Sequence, residues 1–175
     1  MIPWKKIGGM DMQLRKQKQF IYYVLFAIAA VVADQWTKYL VVQHIGLYDY
    51  VKAIPGLFHW TYVQNTGAAF SSFSGMRWLF VVIFLLLTVA IVYEYFKKPM
   101  PFTQVERWCI AAVYAGGLGN IIDRVRLGYV VDMVEVDFMN FAVFNLADCF
   151  ICVGAVCLMI SLVFFNKKFW KEEKK

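Results

Sequence analysis

Charge is scarce in this 175-residue chain. Asp, Glu, Lys and Arg together make up 17% of it, whereas about a quarter of a soluble domain is charged. Hydrophobic residues reach 61%, and they are gathered into long runs instead of being spread evenly. Such runs are typical of transmembrane helices, so we expect a membrane protein with one compact bundle.

Histidine and cysteine are also few, with two and four residues. Neither His44 nor His59 belongs to an HExxH arrangement, which excludes that kind of metalloprotease. Cys149 and Cys152 have a CxxC spacing, but no second pair or nearby histidine completes a tetrahedral zinc site. We therefore interpret all four cysteines, which lie inside hydrophobic runs, as small packing residues.

Four hydrophobic runs organise the chain, at residues 20–42, 78–96, 108–122 and 141–165. A helix needs roughly 20 residues to span a bilayer, so the first, second and fourth runs are long enough. The third crosses only if it takes in flanking residues, as a span over 105–123. The predicted fold is therefore an all-α membrane protein with four transmembrane helices.

The first run has an alternative interpretation as a cleavable signal peptide. It follows a basic segment, and the alanine-rich residues up to Ala33 loosely resemble a cleavage site. However, the run is too long and continues past Asp34 to Val42, so we expect an uncleaved first span.

The basic residues predict the orientation. Five precede the first span, three lie between the second and third, and five follow the fourth, which is thirteen of the 18 Lys and Arg residues. By the positive-inside rule this side is cytoplasmic and holds both termini. The net charge of +6 lies mostly in short tails beside the membrane, which argues against a nucleic-acid partner.

Two outer segments, residues 43–77 and 124–140, have strand-like patterns. Residues 57–63 are aromatic and β-branched and follow a Pro-Gly turn signal, while 129–131 and 134–138 also favour strand. We expect a small extracytoplasmic β-sheet, together with a re-entrant or surface-lying segment. Trp60, Tyr62 and Phe73 would suit the headgroup region. No repeat or linker divides the chain, so residues 1–175 are predicted to form a single domain.

Ionisable residues inside the predicted spans are candidates for function, because a charge at bilayer depth is costly. Asp34 and Lys38 lie on one helical face, and we expect a structural pair more than a catalytic role. Asn120, Asp123 and Arg124 follow glycines late in a helix. Because a phosphate loop needs a helix N-terminus directly after it, nucleotide binding is excluded. This cluster is interpreted as a helix end that hydrogen-bonds its neighbours.

Two acidic residues could form a catalytic pair near the outer surface. If the fourth span begins at residue 141, Asp148 lies about 10 Å below the boundary, with Asn145 on the same face. A re-entrant or surface-lying segment could bring Asp132 over it. Low dielectric and repulsion would leave one carboxyl protonated and one ionised, a state able to activate water. The purely structural alternative leaves a buried carboxylate without an evident basic partner.

Five short blocks stand out along the chain, namely DQWTK at 34–38, NTGAAF at 65–70, GNIIDR at 119–124, VD at 131–132 and FNLAD at 144–148. Their order, and their places relative to the four hydrophobic runs, resemble lipoprotein signal peptidase (signal peptidase II). The resemblance covers roughly residues 20–165.

The resemblance implies an aspartyl endopeptidase. Such an enzyme removes signal peptides from prolipoproteins and cuts N-terminal to a cysteine that carries diacylglycerol. Asp132 and Asp148 would be the catalytic pair, with no metal or organic cofactor. The acidic run 135–137 has no assigned part. The residues expected to shape the site or bind substrate are Asp34, Lys38, Asn65, Gly67, Asn120, Asp123, Arg124 and Asn145.

The resemblance also implies a location and partners. We expect a monomer in the bacterial inner (cytoplasmic) membrane, with its active site near the outer (periplasmic) leaflet and with prolipoproteins and membrane lipids as partners. One rival is a small proton-coupled transporter, but transporters place ionisable groups near the midplane and repeat their halves. The other is a non-enzymatic assembly factor, in which Asp→Asn changes would affect folding more than any activity.

Overall fold

The computed structural model describes residues 4–67, 75–97 and 100–172, and most of this chain is helical. A three-stranded sheet completes the fold, and α4 continues into a π-helical turn, Ser161–Phe165. The helices are α1 Trp4–His44, α2 Arg77–Phe96, α3 Gln104–Arg126, α4 Leu146–Ile160 and the short α5 Lys167–Glu172. The strands are β1 Tyr50–Ile54, β2 Phe58–Asn65 and β3 Val130–Val136.

Three helical stretches in the described chain are long and apolar enough to cross a membrane, namely Gln17–His44, Arg77–Phe96 and Leu146–Phe165. Their apolar side chains point mostly outward. In α2, for instance, Phe84 is the buried residue of the 20. An apolar exterior of this kind is suited to lipid and not to water.

Helix α3 is at the centre of the bundle and packs against α1, α2 and α4. It buries polar residues, including Glu106, Asn120 and Asp123. Glycine permits the close approach to its neighbours. A Cβ atom on Gly116 would lie 2.3 Å from the carbonyl oxygen of Ala147 in α4, which is far inside van der Waals contact.

The sheet has the order β1-β2-β3 with antiparallel pairs. Asn65, the last residue of β2, pairs with Val130, and Val63 pairs with Asp132. A buried cluster that contains Val41 of α1 and Tyr62 of β2 holds the sheet against the first helix. The functional candidates Asn65 and Asp132 are thus carried to the same end of the bundle.

A histidine clamp joins β2 to the chain at the end of β3. The His59 Nδ1 atom lies 2.6 Å from Asp137 Oδ1, and its Nε2 lies 3.1 Å from Glu135 Oε2. The Asp137 bond is the main cause that raises the pKa of His59 above its ordinary value. The acidic run that the sequence left unassigned therefore has a structural partner.

The structure corrects the strands predicted from the sequence. Residues 129–131 and 134–138 were expected as two strands with Asp132 between them, but β3 is one strand that includes Asp132. The sequence does not show the usual alternation of polar and apolar residues there, because four consecutive residues, from Val130 to Met133, are buried on both faces of the strand. Strand β1 was not predicted, since its residues are mostly exposed.

The fourth helix begins at Leu146 and not at residue 141. Asn145 caps the helix, because its side chain accepts from the backbone N–H of Asp148. Asp148 therefore lies in the first turn, so the helix start from which the depth of about 10 Å was calculated is wrong. Part of the segment between the sheet and α2 lies outside the described residues, including the predicted interfacial Phe73 and the end of the 65–70 block.

We expect the Gly116→Ala substitution to destabilise the protein by about 2 kcal/mol, because its new methyl group forces α3 away from α4. Thermal unfolding in detergent, followed by circular dichroism, measures the change. Gly46→Ala is the matched control, since its Cβ would meet Asp49 at an ordinary 3.4 Å. Equal melting temperatures for the two variants would contradict the close packing.

The His59 clamp predicts a pH-dependent contribution to stability. Since the folded pKa is raised, the stabilisation is fully present below the unfolded pKa of about 6.5. It is lost as pH rises through the higher folded pKa. We expect the melting temperature of His59→Gln to fall below that of wild type at about pH 6, with a smaller gap at about pH 9. A gap that widens with pH would rule out this charge interaction.

Candidate active site

Asp132 is 2% exposed and accepts hydrogen bonds from two asparagine side chains. Its Oδ1 accepts from Asn145 Nδ2 at 2.7 Å, and its Oδ2 accepts from Asn65 Nδ2 at 2.8 Å. Burial is the main cause that raises the pKa of Asp132 from 3.8 to about 6. The nearby Asp148 carboxylate acts in the same direction, while the two amide donors oppose it.

Asp148 lies in the first turn of α4, where it forms a capping box with Asn145. Its Oδ2 accepts from the backbone N–H of Asn145 at 3.1 Å, and its own N–H donates to Asn145 Oδ1 at 3.0 Å. Its Oδ1 accepts from Asn120 Nδ2 at 2.7 Å. The N-terminus of a helix favours a negative charge, so this position suits an ionised carboxylate.

The orientation of each asparagine amide is defined by a donor on its oxygen. Asn65 Oδ1 accepts from the N–H of Gly67 at 2.9 Å, and Asn120 Oδ1 accepts from Lys38 Nζ at 3.0 Å. Asn145 Oδ1 is held by the helix N–H described above. The amide nitrogens must then point toward the carboxylates, and all four oxygens of Asp132 and Asp148 receive an N–H donor.

A buried ionic cluster supports this arrangement. Lys38 Nζ lies 2.9 Å from Asp34 Oδ2 and 2.9 Å from Asp123 Oδ2. Asp34 also accepts from the N–H of Ala147 in α4, and Asp123 accepts from the N–H of Val131 in β3. The expected pairing of Asp34 with Lys38 is therefore present, with Asp123 as a second carboxylate.

Arg124 connects α3 to the chain after β2. Its Nη2 donates to the carbonyl oxygen of Gly67 at 2.7 Å, and its Nη1 donates to that of Asn120 at 3.3 Å. The guanidinium lies 4.4 Å from the ring centroid of Phe80 in α2. Arg124 thus holds Gly67, and through it the Asn65 amide, against the rest of the site.

A cavity of about 660 Å³ opens beside the two carboxylates. Its polar lining residues are Asn65, Asn120, Arg124, Asp132 and Asp148. The rest of the lining is largely apolar and comes in part from α2 and α4, including Phe80, Ile83, Leu87, Ile151, Cys152 and Val153. Two carboxylates in the wall of one largely apolar cavity can act as general acid and general base on one bound group.

The structure brings all ten residues predicted from the sequence into one hydrogen-bonded network. Sequence reasoning missed Gln35, whose Nε2 donates to Asp123 Oδ1 at 2.8 Å and to the Gly119 carbonyl at 3.2 Å. Gln35 lies next to Asp34 in the DQWTK block at 34–38, and this position was the sequence signal that could have identified it. The cysteine interpretation is compatible with four free thiols.

Comparison with known proteins gives consistent results. The family model for signal peptidase (SPase) II matches residues 26–164. The lipoprotein signal peptidase of Enterococcus faecalis (strain ATCC 700802 / V583) is 43% identical over 157 residues, covering 88% of this chain and 94% of that protein. That of Streptococcus thermophilus (strain CNRZ 1066) is 42% identical over 149 residues, covering 83% and 90%.

Two solved structures described as bacterial membrane enzymes are also similar. One has a TM-score of 0.75 at 30% identity, covering 84% of this chain and 90% of its own. The other has a TM-score of 0.74 at 31% identity, covering 83% and 94%. Since the family model spans most of the chain and the relatives match over nearly their whole length, this chain belongs to the signal peptidase II family of aspartic peptidases.

Proposed function

We propose that this protein removes signal peptides from diacylglyceryl-modified prolipoproteins, cutting N-terminal to the lipidated cysteine, with Asp132 and Asp148 as its catalytic pair. One observation carries the assignment of the pair. Asn145 donates to both carboxylates, through its side chain to Asp132 and through its backbone to Asp148. Both carboxylates also line one cavity.

The two carboxyl groups have different surroundings, which suggests different roles. Asp132 is deeply buried and its pKa is raised to about 6, so we assign it the proton-donating role, which it can fill while the pH is not far above that value. Asp148 is in the first turn of α4, where a helix N-terminus stabilises the charged form. Asp148 is therefore the general base and Asp132 the general acid.

The reaction follows from these roles. Asp148 takes a proton from a water molecule while the oxygen of that water attacks the carbonyl carbon of the scissile peptide. Asp132 donates its proton to the carbonyl oxygen, which gives a neutral tetrahedral intermediate. The intermediate collapses as the C–N bond breaks, and the proton on Asp148 passes to the leaving amine of the lipidated cysteine. The former carbonyl oxygen returns its proton to Asp132, so the pair ends in its starting state.

The four N–H donors around the pair support this chemistry. They hold the carboxylates in position before substrate arrives, and preorganised donors lower the reorganisation that the reaction requires. Their atoms come from Asn65, Asn120 and Asn145 of the same chain. Because one chain supplies the whole arrangement, a monomer would be sufficient for activity.

The membrane placement extends the same proposal. Helix α3 has 23 residues, about 35 Å at 1.5 Å per residue, and is long enough to span. With α3 included, α1 to α4 form four spans, and the basic tails lie on the cytoplasmic side. Asp148 and the sheet then lie at the outer surface. The lipid attached to the substrate cysteine would lie at this level, and the apolar lining of the cavity suits lipid or signal-peptide chains.

Asp132→Asn and Asp148→Asn should each lower cleavage of a purified diacylglyceryl prolipoprotein by at least about 1,000-fold, since each removes a proton-transfer group. The rate is measured in detergent or bilayer discs, with melting temperature as the folding check. Asp49→Asn, an exposed acid outside the site, is the matched control. A folded variant with undiminished cleavage would reject the catalytic pair. Loss of folding without selective loss of cleavage would favour a structural role.

The raised pKa of Asp132 predicts the pH dependence of kcat/KM, which reports groups in the free enzyme. Since Asp132 must be protonated to act as the acid, kcat/KM should fall as pH rises above about 6. This fall in kcat/KM is measured from initial rates at low substrate concentration, from about pH 5 to 9. The stability of the protein is checked at each pH. A value of kcat/KM that stays constant or rises across this range would assign the proton elsewhere.

A further inference from the structure

The ammonium group of Lys38 uses all of its donors inside the protein. An ammonium has three N–H donors, and Lys38 Nζ has three acceptors at 2.9, 2.9 and 3.0 Å. Two of them are the carboxylates of Asp34 and Asp123, which compensate its charge. The third is Asn120 Oδ1, the neutral acceptor of the three and the one whose residue also contacts Asp148.

The Asn120 amide could occupy its site in two orientations related by a half-turn. In the observed one, its oxygen faces Lys38 and its nitrogen faces Asp148. In the reverse one, an amide NH₂ group would face an ammonium, and an amide oxygen would face a carboxylate. Asn145 Nδ2 also donates to Asn120 Oδ1, at 3.2 Å. Two donors on the amide oxygen therefore favour the observed orientation.

At the other end of the amide, the preference for nitrogen over oxygen depends on whether Asp148 is ionised or protonated. While Asp148 is ionised, it accepts only and therefore prefers the amide nitrogen. Once it has taken the proton from water, its O–H group can donate to an amide oxygen, and this preference is lost. The contact with Lys38 does not change at that step, because its ammonium remains a donor throughout.

We propose that Lys38 is a positioning residue that acts through Asn120, locking the amide so that Nδ2 faces Asp148 in every protonation state of the reaction. This inference rests on the proposed function and extends it. Without Lys38, only the longer contact from Asn145 opposes a turn of the Asn120 amide when Asp148 is protonated. An amide that has turned must turn back before the next cycle. The loss should fall on kcat, because neither Lys38 nor its carboxylate partners line the substrate cavity.

The test needs a variant that removes the ammonium without changing the net charge of the buried cluster. Asp34, Lys38 and Asp123 carry one net negative charge, and the double variant Asp34→Asn/Lys38→Met preserves it. Asp34→Asn alone is the matched variant, since it keeps the ammonium against Asn120. With diacylglyceryl prolipoprotein as substrate, we expect kcat of the double variant to be about 100-fold below that of Asp34→Asn, with KM within about twofold.

A double-mutant cycle then tests the route through Asn120. In an Asp34→Asn/Asn120→Ala background, the added Lys38→Met change should cost kcat nothing further, because the amide that Lys38 positions is absent. Equal kcat for Asp34→Asn and the double variant would overturn the proposal. A loss carried by KM, or one of the same size in the Asp34→Asn/Asn120→Ala background, would overturn it as well.

Two further comparisons keep the outcomes separate. Lys38→Arg retains a cationic donor and should keep more activity than Lys38→Met, with folding of both checked by melting temperature. This comparison serves if Asp34→Asn is too unstable to assay, and equal activities would count against the positioning role. Failure of the wild-type protein to cleave a validated substrate would instead overturn the proposed function itself.

Discussion

The buried ammonium of Lys38 is the interaction on which the rest of the site depends. It joins α1 to α3 through Asp123, and its two carboxylate partners hold the backbone of α4 and β3. Buried ions are costly unless they are paired and their remaining lone pairs are satisfied. Lys38 therefore has a low-energy environment only when all four elements are assembled, and this assembly places Asp132 beside Asp148.

Close helix packing is the condition that lets this cluster form. A Cβ atom on Gly119 would lie 2.6 Å from Asp34 Oδ2 and 3.3 Å from Ala147 Cβ. Any larger residue at this position would displace the carboxylate that contacts Lys38. In lipid, where packing and hydrogen bonds hold helices together, small residues at such crossings allow polar groups to meet. The glycines of α3 thus serve the electrostatics of the site as well as its packing.

The sequence was most informative where the bilayer restricts the choice of structure. Hydrophobic runs had to become helices, so α2 was predicted within a residue of its observed ends. The start of α4 was missed because residues 141–145 are also mostly apolar, and only the cap geometry of Asn145 identifies the boundary. Asp132 was expected between two strands, and not within one, because the residues around it are buried on both faces and hide the alternation of a strand. The Asn65 and Asn145 amides are oriented by backbone N–H groups two and three residues further along the chain. The Asn120 amide depends on Lys38, which lies 82 residues away in sequence, and no local pattern reveals this contact.

The capping box of α4 has a consequence for inhibition. Asp148 lines the cavity, so a bound inhibitor can contact it, yet the same carboxylate also accepts the Asn145 N–H that begins the helix. A substitution at Asp148 that escapes the inhibitor would disturb the helix start together with the reaction. Escape by point mutation at this contact would therefore also weaken the N-terminal cap of α4.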